Sequence, residues 1–100
     1  MLAPPARPEH PEVHVVRTTA HCELRFRARA PFRRPGADVL IDALRTTLED
    51  ADFSRVPPSW AAGQQARMWA VSAAGDLAFP LAPASRPGEW LALTCLARDG

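Results

Sequence analysis

Residues that could act on a phosphate group are concentrated between positions 21 and 34, in the segment HCELRFRARAPFRR. These fourteen residues include one histidine, five arginines and a single acid. Histidine has an ordinary pKa suited to proton transfer near neutral pH, and arginine binds phosphate oxygens through paired N–H groups. The segment therefore has two interpretations, a site that binds a phosphate backbone or the solvated face of an ordinary structural element.

Charge is unevenly distributed, although the net charge is only +1. Residues 17–34 contain six arginines and one acid, whereas residues 38–52 contain five acids and one arginine. The chain has no lysine, asparagine or tyrosine, a bias typical of GC-rich genomes. Codon bias accounts for the choice of arginine over lysine, so the number of arginines is a weak sign of nucleic-acid binding. It does not account for their clustering.

The length and composition predict one small cytoplasmic domain. Residues 1–12 hold four of the eleven prolines and predict a flexible Pro-rich arm, and residues 13–98 form a single domain. No run approaches the roughly 20 apolar residues needed to cross a bilayer, and the N-terminus lacks a signal peptide's apolar core. Cys22 and Cys95 have no metal-ligand spacing, so we expect reduced, partly buried thiols and no cofactor.

Two segments in the first half of the domain have clear periodicity. Residues 13–16, VHVV, are a β-branched run that predicts a short strand. Residues 37–51 predict an amphipathic helix in which Arg45 can pair with Glu49. The apolar stripe of this helix consists of Leu40, Ala43, Leu44, Leu48 and Ala51.

The second half of the domain is predicted to form strands. Residues 66–73 and 76–82 flank Gly75 and predict a hairpin. Pro80 cannot donate a ladder hydrogen bond, so we expect the second strand of the hairpin to lie at an edge or to end there. Residues 89–97, EWLALTCLA, are apolar at both odd and even positions, which predicts a central strand covered on both faces.

The basic segment itself fits a strand and a helix almost equally well. Apolar and polar residues alternate strictly from Ala20 to Ala30, which is the pattern of a half-buried strand. A strand running from residue 13 to residue 30 would be unusually long, however, and the segment is rich in helix-forming residues. Thr18 and Thr19 supply a helix N-cap just ahead of it. Periodicity alone leaves both interpretations open.

The motif Thr-x-His-x-x-x-Arg-Phe-x-x-Arg resembles one found in small, poorly characterised proteins of GC-rich bacteria and their phages. The resemblance covers residues 13–98 and rests on short motifs. The matching residues are Thr19, His21, Arg25, Phe26 and Arg29, then Pro57, Pro58 and Trp60, and the stretches GDLAFPL and LALTCLAR. In those proteins the first motif opens a helix after a short strand, so the resemblance favours a helix at residues 20–30.

The same order of elements resembles the compact fold of RelE- and ParE-like ribonuclease toxins. This likeness implies an α+β fold with a short strand, two helices and then a three-stranded antiparallel sheet. The alternative fold has a long first strand, one helix and three strands. Relatives of these toxins carry a comparable His-x-x-x-Arg-x-x-x-Arg helix. They often use additional Lys or Tyr residues, and this chain contains neither.

The resemblance implies a small RNA-binding domain that could also be a metal-independent endoribonuclease. His21 would act as acid or base in this chemistry, and Arg25 and Arg29 would hold the phosphate. Three further arginines would extend the contact along the RNA backbone, namely Arg27, Arg33 and Arg34. The sequence shows no second acid–base partner for the histidine.

A non-enzymatic protein-interaction or regulatory module is the alternative function. Its partner would be an antitoxin-like protein or an adaptor target, bound through the Pro-rich arm, residues 57–60 or an edge near Pro80. In this case the basic segment would be a solvated face paired with Glu49, Asp50 and Asp52 of the next helix.

Other residue types with chemical potential have structural interpretations. His10 and His14 have i, i+4 spacing, but Pro11 intervenes and no further ligand completes a shell, so we expect no metal site. Trp69 and Trp90 are expected in the core, and Trp60 is expected to anchor its loop to that core.

Overall fold

The structure, a computed structural model, describes residues 5–29, 37–61, 63 and 65–98. The described helices are α1, Ala20–Arg29, and α2, Ala37–Glu49, with a short 3-10 turn at Ser59–Ala61. The strands are β1, Val15–Thr18; β2, Asp52–Ser54; β3, Met68–Val71; β4, Leu77–Pro83; β5, Glu89–Ala92; and β6, Leu96–Ala97. Neither described helix has the length and apolar character that a bilayer crossing requires.

The fold belongs to the predicted α+β class, but its sheet is larger than predicted and mixed. The strand order is β1-β5-β4-β3-β2, with β6 paired to β4. The β1 strand lies parallel to β5, and the other pairs are antiparallel. The prediction of a three-stranded antiparallel sheet was therefore wrong. It missed β2, which is too short for a periodic signal, and the long-range return of the chain beside β1.

The basic segment is helical, so the alternative with a long first strand was wrong. Cys22 and Phe26, one turn apart on α1, are fully buried, whereas Leu24 is 62% exposed. Alternation along the sequence thus coincides with two opposite stripes of a helix, of which only one faces the core.

The predicted amphipathic helix is confirmed in α2. Leu44 and Leu48 are buried, and Ala43 and Ala51 pack against the same core. The guanidinium of Arg45 lies 2.9 Å from Asp42 on the preceding turn, so its partner is not the predicted Glu49. Helical i, i+3 and i, i+4 positions are both within reach of an arginine side chain.

The predicted hairpin is confirmed in β3 and β4. Its turn has Gly75 at φ 78°, a backbone conformation that favours glycine. The Ser72 hydroxyl donates to Asp76 at 2.7 Å and accepts from the Leu77 amide at 3.0 Å. These bonds satisfy polar groups that the turn would otherwise leave unpaired.

The expectation that Pro80 marks an edge or a strand end was wrong. Pro80 pairs with Trp69 inside β4, which continues to Pro83 between two neighbouring strands. The Pro80 carbonyl accepts a hydrogen bond from the Leu93 amide at 3.0 Å, so its ring nitrogen faces the gap between β5 and β6. The missing N–H thus lies opposite an interruption in the ladder, where proline is tolerated.

The sheet separates two apolar layers. The larger layer packs α1 and α2 against one face and includes Phe26, Leu48 and Phe79. On the opposite face Trp69 packs with Ala61 and Ala78, and Trp60 covers them from the 3-10 turn. The β5 strand lies between β1 and β4, which confirms the central position predicted for this segment. The single strand predicted over residues 89–97 was wrong, because β5 ends at Ala92, Leu93 is 38% exposed and β6 is a separate strand. The predicted roles of the tryptophans are also confirmed, because Trp69 and Trp90 are buried.

The described part of the Pro-rich arm lies along the outer edge of β1. Ala6 is 2% exposed, and its amide and carbonyl bond to the carbonyl and amide of Val16, each at 2.9 Å. The Glu12 carbonyl accepts a hydrogen bond from the Trp90 indole at 3.0 Å. Main-chain and side-chain bonds therefore join this segment to the sheet.

Candidate nucleic-acid interface

Thr19 anchors the start of α1 to the end of β5. Its hydroxyl accepts a hydrogen bond from the Cys22 amide at 2.9 Å, which is the geometry of an N-cap. The same hydroxyl donates to the Leu93 carbonyl at 3.1 Å, and the Thr19 amide donates to the Ala92 carbonyl. These bonds determine where the helix leaves the sheet and hence which side chains point outward.

The predicted row of His21, Arg25 and Arg29 is present on α1. The three residues follow one another at intervals of four positions, which places them about 6 Å apart along the axis on nearly the same side. His21 and Arg25 are exposed, whereas Arg29 is half-buried. The Nε atom of Arg29 is buried and has no hydrogen-bond acceptor among the described residues. A buried cationic donor without an acceptor is costly unless a ligand supplies one.

Two described carboxylates near α1, Glu23 and Glu49, have partners other than its arginines. Glu23, four positions before Arg27 on α1, accepts a hydrogen bond from the Thr18 hydroxyl at 2.7 Å. Glu49 accepts one from the Arg7 amide at 3.0 Å. Within the described residues the ion pairs are Arg17–Glu89, Arg45–Asp42 and Arg55–Glu12, so no arginine of α1 takes part in one. The expected pairing of this face with α2 is therefore not seen in that part of the chain.

Arg27 is exposed on α1, in keeping with a supporting contact to a polyanion. Arg33 and Arg34, which would extend this contact, lie outside the described residues. The described part of the candidate interface therefore consists of one histidine and three arginines on a single helix.

Two buried thiols lie on the core side of this helix, Cys22 on the helix itself and Cys95 between β5 and β6. Burial raises the pKa of Cys95 to about 12. The positive charges of Arg29 and Arg25 oppose this increase in pKa, whereas the negative charge of Asp76 adds to it. Burial raises the pKa of Cys22 even further, with smaller contributions from Cys95 and Glu23. Both cysteines are free, as expected. The α1 helix also contacts β6 directly.

A pocket of about 270 Å³ lies between α1, α2 and the β3–β4 turn. Its polar lining includes Thr46, Thr47, Asp50, Ser72 and Asp76. The two carboxylates would repel a phosphate, but they could accept hydrogen bonds from the amino group of a nucleobase. The sequence analysis missed this pocket, because its lining comes from three elements that only the tertiary fold brings together.

His21 has no hydrogen-bond partner among the described residues, and that part of the chain places no second acid or base against it. Transfer of a proton onto a leaving group and from a nucleophile requires two such groups or one that acts twice. The described residues therefore supply one group for proton transfer and several groups that could bind an anion.

The other histidines serve local structure. The ring of His10 accepts a hydrogen bond from the Glu12 amide at 3.1 Å, and the ring of His14 lies 3.1 Å from the Pro11 carbonyl. No group of three or more potential metal ligands was found among the described residues.

Comparison with known proteins gave no match. No protein-family model fits the chain, and neither a curated protein nor a solved structure shows significant similarity to it.

Proposed function

We propose that the outer face of α1 binds the phosphate backbone of single-stranded RNA. Arg25 and Arg29 would hold successive phosphate oxygens, Arg27 would contribute a flanking charge, and His21 would donate to the same backbone. The observation that carries the proposal is the Nε atom of Arg29, which is buried and has no hydrogen-bond acceptor in the described structure. Arg25, one turn earlier on α1, also has no ion pair there.

The acidic pocket beside α1 supports RNA rather than an isolated anion as the ligand. A nucleotide has a negatively charged backbone and a base with N–H donors, and these two parts need opposite surfaces. The cationic row and the Asp50–Asp76 pocket offer both, with Phe26 of α1 in the pocket wall. We therefore place a base in the pocket and its phosphate on α1.

The surfaces suggested for a protein partner are engaged within the fold. Pro57 and Pro58 are half-buried, and Trp60 packs against the second apolar layer. Pro80 lies inside the sheet, and Ala6 of the arm pairs with β1. These contacts favour the RNA-binding proposal over the interaction module.

A salt titration tests the proposal. We expect a fluorescent single-stranded RNA to bind the wild-type protein at 50 mM salt and to dissociate steeply toward 200 mM. The Arg25→Gln variant should flatten the slope of log affinity against log salt by about 0.7, the contribution of one phosphate contact in single strands. Arg45→Gln is the matched control, because Arg45 lies on α2 and is ion-paired with Asp42. Absence of binding at 50 mM salt, or equal effects of the two substitutions, would refute the proposal.

Cleavage is measured in the same reactions by following RNA length. We expect intact RNA with the wild-type protein, because His21 lacks an acid–base partner in the described structure. Cutting by the wild-type protein that disappears in His21→Ala would instead assign to the helix the endoribonuclease activity that the toxin resemblance implies.

A further inference from the structure

A second basic site lies at the other end of the sheet from the acidic pocket. It is a hollow of about 460 Å³ whose wall includes Pro83, where β4 ends, whereas the pocket beside α1 includes Leu77, where β4 begins. Six residue steps in a strand separate these ends by about 20 Å. Arg55, Arg67 and Arg86 line the hollow, with Trp90 as an apolar wall.

The charges around this hollow leave two guanidinium groups uncompensated. Arg55 is ion-paired with Glu12, and Glu89 in the wall is ion-paired with Arg17 at 2.8 Å. Arg67 and Arg86 are exposed and have no ion pair within the described part of the chain. The hollow therefore has an excess of about two positive charges.

Main-chain contacts brace the walls. The Trp90 indole donates to the Glu12 carbonyl at 3.0 Å, and the Glu89 amide donates to the Arg86 carbonyl at 3.0 Å within the β4–β5 turn. The Gly88 carbonyl accepts from the His14 amide at 2.8 Å. Gly88 has φ +78°, and a Cβ atom there would lie 2.5 Å from the His14 ring, so only glycine permits this close approach.

We propose that this hollow binds a phosphate monoester carried on a small organic body, such as a nucleoside monophosphate. A phosphate monoester has a charge of −1.5 to −2 near pH 7, which matches the two uncompensated arginines, and guanidinium groups bind its oxygens in pairs. The volume lies within the roughly 300–1,000 Å³ of small-molecule sites, and Trp90 with the neighbouring prolines gives the organic body an apolar wall. The proposal does not depend on RNA binding by α1.

Isothermal titration calorimetry with adenosine monophosphate tests the site. We expect the wild-type protein to bind this probe at submillimolar concentration, and Arg67→Gln and Arg86→Gln to weaken binding at least tenfold each. Arg45→Gln on α2 is the control, because Arg45 is ion-paired with Asp42 and does not line the hollow, so its replacement should leave the affinity unchanged. Binding should also weaken from pH 7.5 to pH 5.5, since the second phosphate ionisation lies near 6.

Adenosine and inorganic phosphate identify which part of the probe is recognised. We expect adenosine not to bind and inorganic phosphate to bind at least tenfold more weakly than adenosine monophosphate. Equal binding of adenosine and its monophosphate would overturn the role of the arginines. Inorganic phosphate binding as tightly as the monophosphate would overturn the organic part. A wild-type protein that ignores the probe, or variants that bind like the wild type, would overturn the site itself.

Discussion

The two basic regions of this protein are built in different ways. The row on α1 comes from one short stretch of chain, and a helix alone brings its three members into line. The hollow at the β4–β5 turn collects Arg55 and Arg67 from the two ends of the β2–β3 connection and Arg86 from the turn itself. The first region depends on how firmly one helix is attached, whereas the second depends on strand order and on a braced N-terminal segment.

The difference extends to the compensation of charge. On α1 the described arginines have no carboxylate partners, and the nearby Glu23 accepts a hydrogen bond from the Thr18 hydroxyl instead. In the hollow, one arginine and one glutamate are each neutralised by a residue from outside it. A linear polyanion suits the open row, and a compact dianion suits the partly neutralised hollow.

Phe26→Ala should have the largest effect, because it removes the anchor of α1. Phe26 is fully buried, and its ring centroid lies 6.3 Å from that of Phe79. We expect the free energy of unfolding to decrease by about 3–5 kcal/mol in urea titrations followed by tryptophan fluorescence. Leu24→Ala, on the exposed side of the same helix, should change it by less than about 0.5 kcal/mol. Similar effects of the two substitutions would show that α1 is not anchored through this face.

Alkaline pH should loosen the α1 end of the molecule. Cys95 ionises near its ordinary pKa of 9.0 when unfolded and near 12 when folded, so the folded state retains protons that the unfolded state has lost. This contribution to stability is intact below pH 9 and is lost as the pH rises toward 12. The chain has no lysine or tyrosine, so the two thiols dominate titration in that range.

The corresponding measurement is the free energy of unfolding between pH 8 and pH 11. We expect it to decrease by on the order of 1 kcal/mol per pH unit above 9, and a Cys22→Ser, Cys95→Ser double variant to show a flatter profile. Parallel profiles for the two proteins would contradict the burial of both thiols.

Thr19→Ala removes the cap of α1 and should cost about 1 kcal/mol of stability. The hydroxyl contacts both the Cys22 amide and the Leu93 carbonyl, so the substitution loosens the helix and its attachment to β5. Thr46→Ala on the exposed side of α2 is the control and should not destabilise the protein. We further expect RNA binding to weaken more than adenosine monophosphate binding. The opposite order would indicate that the cap supports the hollow instead.

Glu12→Gln should have the smallest effect and should concern the hollow alone. Removal of the carboxylate frees the charge of Arg55, while the Glu12 carbonyl that binds Trp90 is retained. We expect affinity for adenosine monophosphate to increase about two- to threefold, the scale of an exposed ion pair. Glu9→Gln in the same segment should leave affinity unchanged. A loss of affinity in Glu12→Gln would mean that the carboxylate positions Arg55 for binding.

The sequence could predict the α1 row because all of its determinants are local. A capping threonine, helix-forming residues and four-residue spacing lie within a dozen positions, although alternation favoured a strand just as well. Burial in the tertiary fold favours the helix over the strand, because only a helix brings Cys22 and Phe26 to the core on one face with Leu24 exposed. The predicted α2 helix and the β3–β4 hairpin had equally local signals.

The hollow and the mixed sheet could not be predicted in this way. Arg17 and Glu89 are ion-paired across 72 positions of sequence, and nothing in their neighbourhoods indicates it. The placement of Pro80 inside β4 depends on a ladder interruption contributed by a later strand. The strand order determines whether a single proline is tolerated inside a strand and which distant arginines lie close together.

The bridge between Ala6 and Val16 makes the two edges of the sheet differ in how many of their main-chain groups are free to pair. The outward main-chain groups of Val16 already bond to Ala6 of the N-terminal segment, whereas β2 has a partner on only one side among the described strands. Two molecules that paired edge to edge would therefore join β2 to β2 and form a closed dimer. Head-to-tail association into a fibre would first require that Ala6 dissociate from Val16.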